Sequence, residues 1–223
     1  MKLTIPRDSL LSGLQLAGRA VSARSTLPSL GGILLAAADD VLTLRATDME
    51  LGITQTLSGA NIERDGTLLL PGRLLVDVAR SLPDGEVTLE QRTEQRDVEI
   101  TASSARFHLR TLAAEDFPRL PELEGETAKL PAAPLAETIE RVARAASRDE
   151  VRPILTGVRV QTEGSTMTMV ATDSYRLSVK HTEIEGGISQ PLEANVPARA
   201  LRELARVIAS ENAEEVEISM PGN

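Results

Sequence analysis

The chain has 223 residues, enough for two domains with cores of their own, and it carries a formal charge of −9 with no cysteine and no tryptophan. Without cysteine, and with only His108 and His181, it offers no cluster of metal-ligand spacing, so neither a metal nor any other cofactor is expected. The N-terminus lacks a signal-like apolar stretch and no apolar run approaches the ~20 residues of a membrane span, so a cytoplasmic location with no membrane contact is expected.

The elements follow a repeat. Ile5-Pro6, Leu70-Pro71, Leu130-Pro131 and Val196-Pro197 each set an apolar residue before a proline, with Leu10, Leu75, Leu135 and Leu201 four residues later. The prolines lie 65, 60 and 66 residues apart. Proline has no N–H to give a central strand but is tolerated in the first turn of a helix, so each unit reads as strand end, proline, helix. In chain order, apolar residues at helical spacing predict a helix over 8–22, built on Leu10, Leu14, Ala17 and Val21. Alternation predicts strands at 41–45 and 51–57; a second helix follows over 73–81, then strands at 86–92, 96–102 and 105–111. A third helix is expected over 134–146, strands at 158–161 and 167–170, a fourth helix over 199–209 and strand-like sequence at 215–219. Strands outnumber helices about three to one, and short gaps between them imply antiparallel sheets, an α+β class.

A shift of 125 residues superposes Pro6 on Pro131, Arg19 on Arg144, Pro28 on Pro153, Gly32 on Gly157 and Ala46-Thr47-Asp48 on Ala171-Thr172-Asp173. The matches fall on residues that fix backbone geometry, which favours two homologous domains. The first is placed at 1–122 and the second at 123–223, joined through the acidic, turn-rich stretch that begins at Pro121. By the length of the first copy, the second is expected to stop on the order of thirty residues short.

Charge is unevenly spread. The four proline-led segments, 7–24, 72–82, 132–148 and 198–209, carry +2, +1, +1 and +2, leaving −15 for the rest of the chain. Two readings fit: arginines populate the wet faces of amphipathic helices, or four equivalent helices present one basic surface to a polyanion.

The stretch Arg24-Ser-Thr-Leu-Pro-Ser-Leu-Gly-Gly-Ile-Leu-Leu, the motif Ala46-Thr-Asp-Met-Glu-Leu, Thr111-Leu-Ala-Ala-Glu-Asp-Phe-Pro, Val151-Arg-Pro-Ile-Leu-Thr-Gly and Val170-Ala-Thr-Asp-Ser-Tyr-Arg-Leu-Ser-Val resemble the markers of the bacterial sliding clamp family, the beta subunits of DNA polymerase III. The resemblance covers the whole chain. It implies the DNA-clamp fold, with repeated helix and antiparallel-sheet half-units and two helices per domain facing a central hole. It also implies three domains per subunit, of which the third is absent here, and a head-to-tail homodimer ring. The implied function is that of a noncatalytic processivity factor that encircles duplex DNA and tethers replicative DNA polymerase, the clamp loader and repair proteins through short linear peptides.

From the same resemblance, Arg24, Arg73 and Arg199 are candidates for DNA contact, whereas Asp149, acidic where some members are neutral, is not. One tyrosine and two phenylalanines leave no aromatic platform for stacking single strands. Half of the peptide-binding cleft corresponds to Arg152, Leu155, Thr172, Ser174, Tyr175, Arg176 and Leu177; the two leucines would otherwise be core. Arg106, Phe107 and Leu109 correspond to the edge that meets a partner subunit, or else to an ordinary sheet edge. Ring closure needs the third domain, so this chain is expected to be monomeric or weakly associating.

Two alternatives remain. One is a peptide-binding adaptor that does not encircle DNA. The other is a carboxylate-dependent enzyme built on Asp48 and Asp173, disfavoured because repeat-related positions occupy like places in different domains, whereas a catalytic pair must converge. Capping of turns is the expected role of both aspartates.

Overall fold

A computed structural model of the chain describes residues 1–22, 25–121, 127–184 and 193–219. It divides into two compact units, Met1–Leu120 and Pro121–Asn223. Among the described residues no helix is long and apolar enough to cross a membrane.

The first unit runs β1 (Lys2–Pro6), α1 (Arg7–Ala17), β2 (Gly32–Ala38), β3 (Val41–Thr47), β4 (Gly52–Leu57), β5 (Asn61–Arg64), β6 (Gly66–Pro71), α2 (Gly72–Ser81), β7 (Glu86–Arg92), β8 (Asp97–Ala102) and β9 (Ala105–Arg110). Its antiparallel sheets are ordered β5-β1-β7-β8-β9 and β4-β3-β2-β6. Alternation sets the inner faces: Leu3 and Ile5 on β1, Leu42 and Leu44 on β3, Val87 and Leu89 on β7 are all buried. Leu10, Leu14 and Ala17 of α1 join them in one core. The tight β2–β3 turn is made by Asp39 and Asp40, at φ 51° and 61°, the backbone of a hairpin turn whose twist matches its strands.

The second unit repeats this order with β10 (Thr127–Pro131), α3 (Ala132–Val142), a one-turn α4 (Pro153–Thr156), β11 (Gly157–Glu163), β12 (Thr166–Thr172), β13 (Leu177–Glu183), β14 (Glu193–Pro197), α5 (Ala198–Glu211) and β15 (Glu215–Ser219). Its sheets are β10-β15 and β13-β12-β11-β14. Every element from β10 to β13 begins 125 residues after its counterpart, α4 standing where the first unit has the 3₁₀ turn Pro28–Gly31. Further on, α5 has 14 residues against 10 in α2 and ends on Asn212 in the left-handed conformation, φ 49°. The extra length is absorbed before β15, and the pairing register is kept: Pro131 lies opposite Glu215 as Pro6 lies opposite Glu86.

The α+β clamp architecture expected from the sequence is what the chain adopts, with differences at the helix ends. The four prolines are the last residues of their strands and the N-caps of the helices, one step earlier than a first-turn position. The N–H that follows is met by another strand's approach: Arg7 N donates to Gly85 O at 2.8 Å and Ala132 N to Glu214 O at 2.9 Å. The helices expected over 8–22 and 134–146 end at Ala17 and Val142, each followed by a 3₁₀ turn, Gly18–Ala20 and Ala143–Ala145. Val21 and Ala146 are then already extended.

One related pair shows two ways of filling the same place in the two units. In the first unit α1 lies so close to the sheet that a Cβ on Gly13 would stand 2.8 Å from Leu57 Cδ2. In the second unit these positions are Thr138 and Thr182, whose hydroxyls meet at 2.6 Å, with Thr138 donating to Pro134 O at 2.8 Å. A large apolar side chain over a glycine is thus replaced by two small side chains joined by a hydrogen bond, which satisfies the buried hydroxyls.

Candidate functional site

Arg73 and Arg199 are the second residues of α2 and α5, and both are exposed. Neither helix has an acidic residue in its first turn. The N-terminal end of a helix already carries partial positive charge, so these arginines reinforce a positive potential where a carboxylate would have stabilised the helix. Arg7, at the start of α1, is paired with Asp8 at 2.9 Å and Asp84 at 3.4 Å. Arg24 lies outside the described residues.

Between α1 and α2 runs a groove of about 430 Å³, lined by Gln15, Arg19, Arg73, Val76, Asp77 and Arg80. The related groove between α3 and α5, about 240 Å³, has Glu140, Arg144, Arg202 and Arg206 on its walls. Two carboxylates of these helices are engaged locally: Asp77 with Arg80 at 3.3 Å, and Glu203 with Arg206.

The residues expected to form the peptide cleft come from two loops. The turn after β12 is held by Thr172 and Asp173. Asp173 Oδ1 accepts the N–H groups of Tyr175 and Arg176, each at 3.0 Å, and Oδ2 accepts Arg176 Nε at 2.9 Å. The Tyr175 N–H above all, then the Arg176 backbone and guanidinium, hold the Asp173 carboxyl below the usual carboxylate range. In the first unit Asp48 Oδ1 accepts Glu50 N and Leu51 N at 3.1 and 2.9 Å. Met49 and Ser174, at related places in the two turns, have φ 78° and 77°. Both aspartates therefore cap their own turns, the role expected of them from the sequence.

The second loop precedes β11. Arg152 Nη1 donates to Ser174 Oγ at 3.0 Å and so ties the two loops together, while its Nε lies 3.6 Å from Asp149. Leu155 is half-buried beside Thr172 in an apolar depression of about 540 Å³ that also includes Ile154, Val170 and Asn195. Tyr175 is 95 % exposed and Leu177 66 %, with Val179 two residues further along β13 at 48 %. On β4, the related strand of the first unit, the positions matching Leu177 and Val179 are Gly52 and Thr54. Leu177 is thus a surface residue, not a core leucine.

A second cavity, about 880 Å³, brings Arg152, Tyr175 and Arg176 together with Arg144, Arg148, Arg202 and Arg206. The last four were not singled out in the sequence as cleft residues. Two of them share a sequence signal, the helical spacing that puts Arg202 and Arg206 on one face of α5.

On β9, Arg106 is exposed, Phe107 is partly buried and Leu109 is 3 % exposed within the core of the first unit. Strand alternation turns Arg106, His108 and Arg110 to water and Leu109 inward. The β9 edge itself is unpaired beyond β8 among the described residues. Leu109 could reach a partner only through its backbone. Both histidines lie on strand surfaces: His108 Nε2 is 3.6 Å from Glu99, and His181 Nδ1 is 2.9 Å from Thr168 Oγ1. No group of three or more potential metal ligands occurs among the described residues.

The family described as DNA polymerase III beta subunit, N-terminal domain, matches residues 1–121, and that described as DNA polymerase III beta subunit, central domain, matches residues 129–223. A beta sliding clamp from Synechocystis sp. is 40% identical over 95% of this chain and 59% of its own length. One from Micrococcus luteus is 38% identical over 94% of this chain and 67% of its own length. The crystal structure of a DNA polymerase sliding clamp from Bacillus subtilis superposes with a TM-score of 0.94 at 30% identity, covering 100% of this chain and 60% of that one. The DNA polymerase III subunit beta from Pseudomonas aeruginosa gives 0.91 at 30% identity, covering 99% and 60%. The chain thus spans about three fifths of the length of most of these relatives. It belongs to the DNA polymerase III beta subunit family, with its first unit matching that family's N-terminal domain and its second the central domain.

Proposed function

We propose that the chain supplies two clamp domains, residues 1–122 and 123–223, of a cytoplasmic, noncatalytic processivity factor that encircles duplex DNA. In the whole protein a head-to-tail homodimer closes the ring through the edge carrying Arg106, Phe107 and Leu109. Replicative DNA polymerase, the clamp loader and repair proteins are held by short linear peptides at Arg152, Leu155, Thr172, Ser174, Tyr175, Arg176 and Leu177. The observation that carries the DNA part is the placing of Arg73 and Arg199 at helix N-termini in a chain of net charge −9, where they concentrate positive potential without reading bases. Diffuse contact of this kind holds a duplex without fixing it at one sequence.

The absence of cysteine allows a direct test. Arg73→Cys and Arg199→Cys, each labelled with a photo-crosslinker, should attach to duplex DNA of any sequence, whereas Arg45→Cys on the wet face of β3 should not. Equal crosslinking from all three positions would overturn the assignment. The exposed stripe of Tyr175, Leu177 and Val179 also suits the second reading, a peptide-binding adaptor that does not encircle DNA. Crosslinking from none of the three, with peptide binding retained, would select it.

A further inference from the structure

We infer that the turn between α2 and β7 is a site of spontaneous covalent modification, at which Asp84 closes onto the Gly85 amide and reopens as isoaspartate, whatever the two units bind. The sequence holds two Asp-Gly pairs, Asp65-Gly66 and Asp84-Gly85, and no Asn-Gly. In each pair the glycine has no Cβ to crowd its own amide nitrogen. Cyclisation also requires that this nitrogen be free to swing onto the side-chain carboxyl, and here the two pairs differ. The Asp84 side chain is 90 % exposed, and Gly85, at φ 123°, has nothing within 4 Å of the place a Cβ would take. Among the described residues the Gly85 N–H donates no backbone hydrogen bond in its turn. The Asp84 carboxylate lies 3.4 Å from Arg7 Nη1, a nitrogen that Asp8 holds at 2.9 Å, and an exposed ion pair of this kind restrains a side chain weakly. Asp65 is exposed as well, but its glycine is built into the fold. Gly66 stands opposite Ala37 in the β2–β6 register, and a Cβ on it would lie 3.0 Å from Met1 Cβ and 3.1 Å from Met1 N. Its peptide cannot rotate without displacing β6 and Met1.

In the reaction the Gly85 nitrogen forms a bond to Asp84 Cγ, while the amide hydrogen and the carboxyl hydroxyl depart together as water, leaving a succinimide. Water then adds back at either ring carbonyl. Opening at Cγ restores aspartate; opening at the Asp84 main-chain carbonyl leaves Gly85 attached through Cγ, with a free carboxylate on Cα. The main chain is then one carbon longer at this point. That turn positions the start of the first unit's leading helix, because Gly85 O accepts Arg7 N at 2.8 Å just before β7 pairs with β1. The second unit makes the same contact from Glu214 O to Ala132 N at 2.9 Å, but the matching pair there is Ala213-Glu214, which has no aspartate to cyclise. The modification is therefore confined to one of two otherwise like turns, and its product is the substrate class of methyltransferases that esterify isoaspartyl carboxylates.

The test ages the 223-residue chain in warm neutral buffer, folded and in urea, and follows isoaspartate by methyl transfer from labelled S-adenosylmethionine with a purified isoaspartyl methyltransferase. Trypsin separates the two pairs into peptides 65–73 and 81–92, in which the isomer appears as a second species of equal mass. In urea both peptides should take up label, which sets the intrinsic reactivity of each pair. In the folded chain 81–92 should be labelled and 65–73 spared. Asp84→Glu keeps a carboxylate for Arg7 but closes a ring far more slowly, so it should remove most of the folded chain's label, whereas Asp65→Glu should leave it. The melting temperature of the wild-type chain should fall as the isomer accumulates, and that of Asp84→Glu should hold over the same period. A folded chain whose 81–92 peptide gains no label, or gains it no faster than 65–73, would overturn the inference. So would label that survives Asp84→Glu.

Discussion

Leu177 is 66 % exposed, so about a third of its side chain contributes to folding and the rest is available to a partner. Full burial of a leucine is worth roughly 1.5–3 kcal/mol, so Leu177→Ala should cost about 0.5–1 kcal/mol of stability. If a bound peptide covers the exposed remainder, the same change should cost about 1–2 kcal/mol of affinity, roughly a five- to thirtyfold loss. Leu135, in the core of the second unit and 1 % exposed, supplies the contrast. Leu135→Ala should cost about 2–5 kcal/mol of stability through the cavity it leaves. Thermal melts and peptide titrations of both variants decide the matter. A drop in melting temperature for Leu177→Ala as large as that of Leu135→Ala, with peptide affinity unchanged, would assign Leu177 to packing and refute the surface reading.

Gly13→Thr alone should destabilise the first unit by about 1–3 kcal/mol through overpacking against Leu57, and adding Leu57→Thr should recover part of that loss by forming the hydroxyl pair of Thr138 and Thr182; a denaturant double-mutant cycle without coupling would contradict the core comparison. The Asp173 carboxyl titrates below its usual range because its charged form accepts the Tyr175 and Arg176 N–H groups. Its support of the turn is complete above the ordinary carboxylate pKa and is lost as pH falls through the lowered value, so an NMR titration should show the Tyr175 amide shifting only at the acidic end; a transition at or above the ordinary value would refute the cap. Light scattering should find the 223-residue chain monomeric or weakly associating, and a stable symmetric dimer would refute the assignment of the β9 edge to a ring contact.

The repeat was readable because prolines and the Ala-Thr-Asp tripeptide fix backbone geometry, and the same residues recur as N-caps and turn caps in both units. Strands with one wet face, such as β3 and β8, declared themselves by alternation. The strands β2 and β6 did not: Gly-Ile-Leu-Leu-Ala-Ala-Ala in β2 and three consecutive buried leucines in β6 have little or no polar phase. Burial on both sides erases the period-two signal. The Asp173 turn and the exposed Tyr175 and Leu177 were found through the family motif that contains them. The arginine cavity has no such signal, because its members come from the 3₁₀ turn after α3, the loop before α4, the turn after β12 and the middle of α5, segments separated in sequence by up to 62 residues. Leu109 shows the opposite limit: a motif can mark a strand as an edge without saying which side chains leave it.

The central claim is that duplex DNA is held by diffuse charge on the helices, and the salt dependence of binding tests it most directly. For this chain the account predicts a dissociation constant no tighter than roughly 10⁻⁴ to 10⁻⁶ M, insensitive to sequence, with log K falling steeply as log salt rises. Arg73→Glu and Arg199→Glu should each flatten that slope by about one phosphate contact. Tight, sequence-dependent binding that persists at high salt, or a slope unmoved by both reversals, would contradict it.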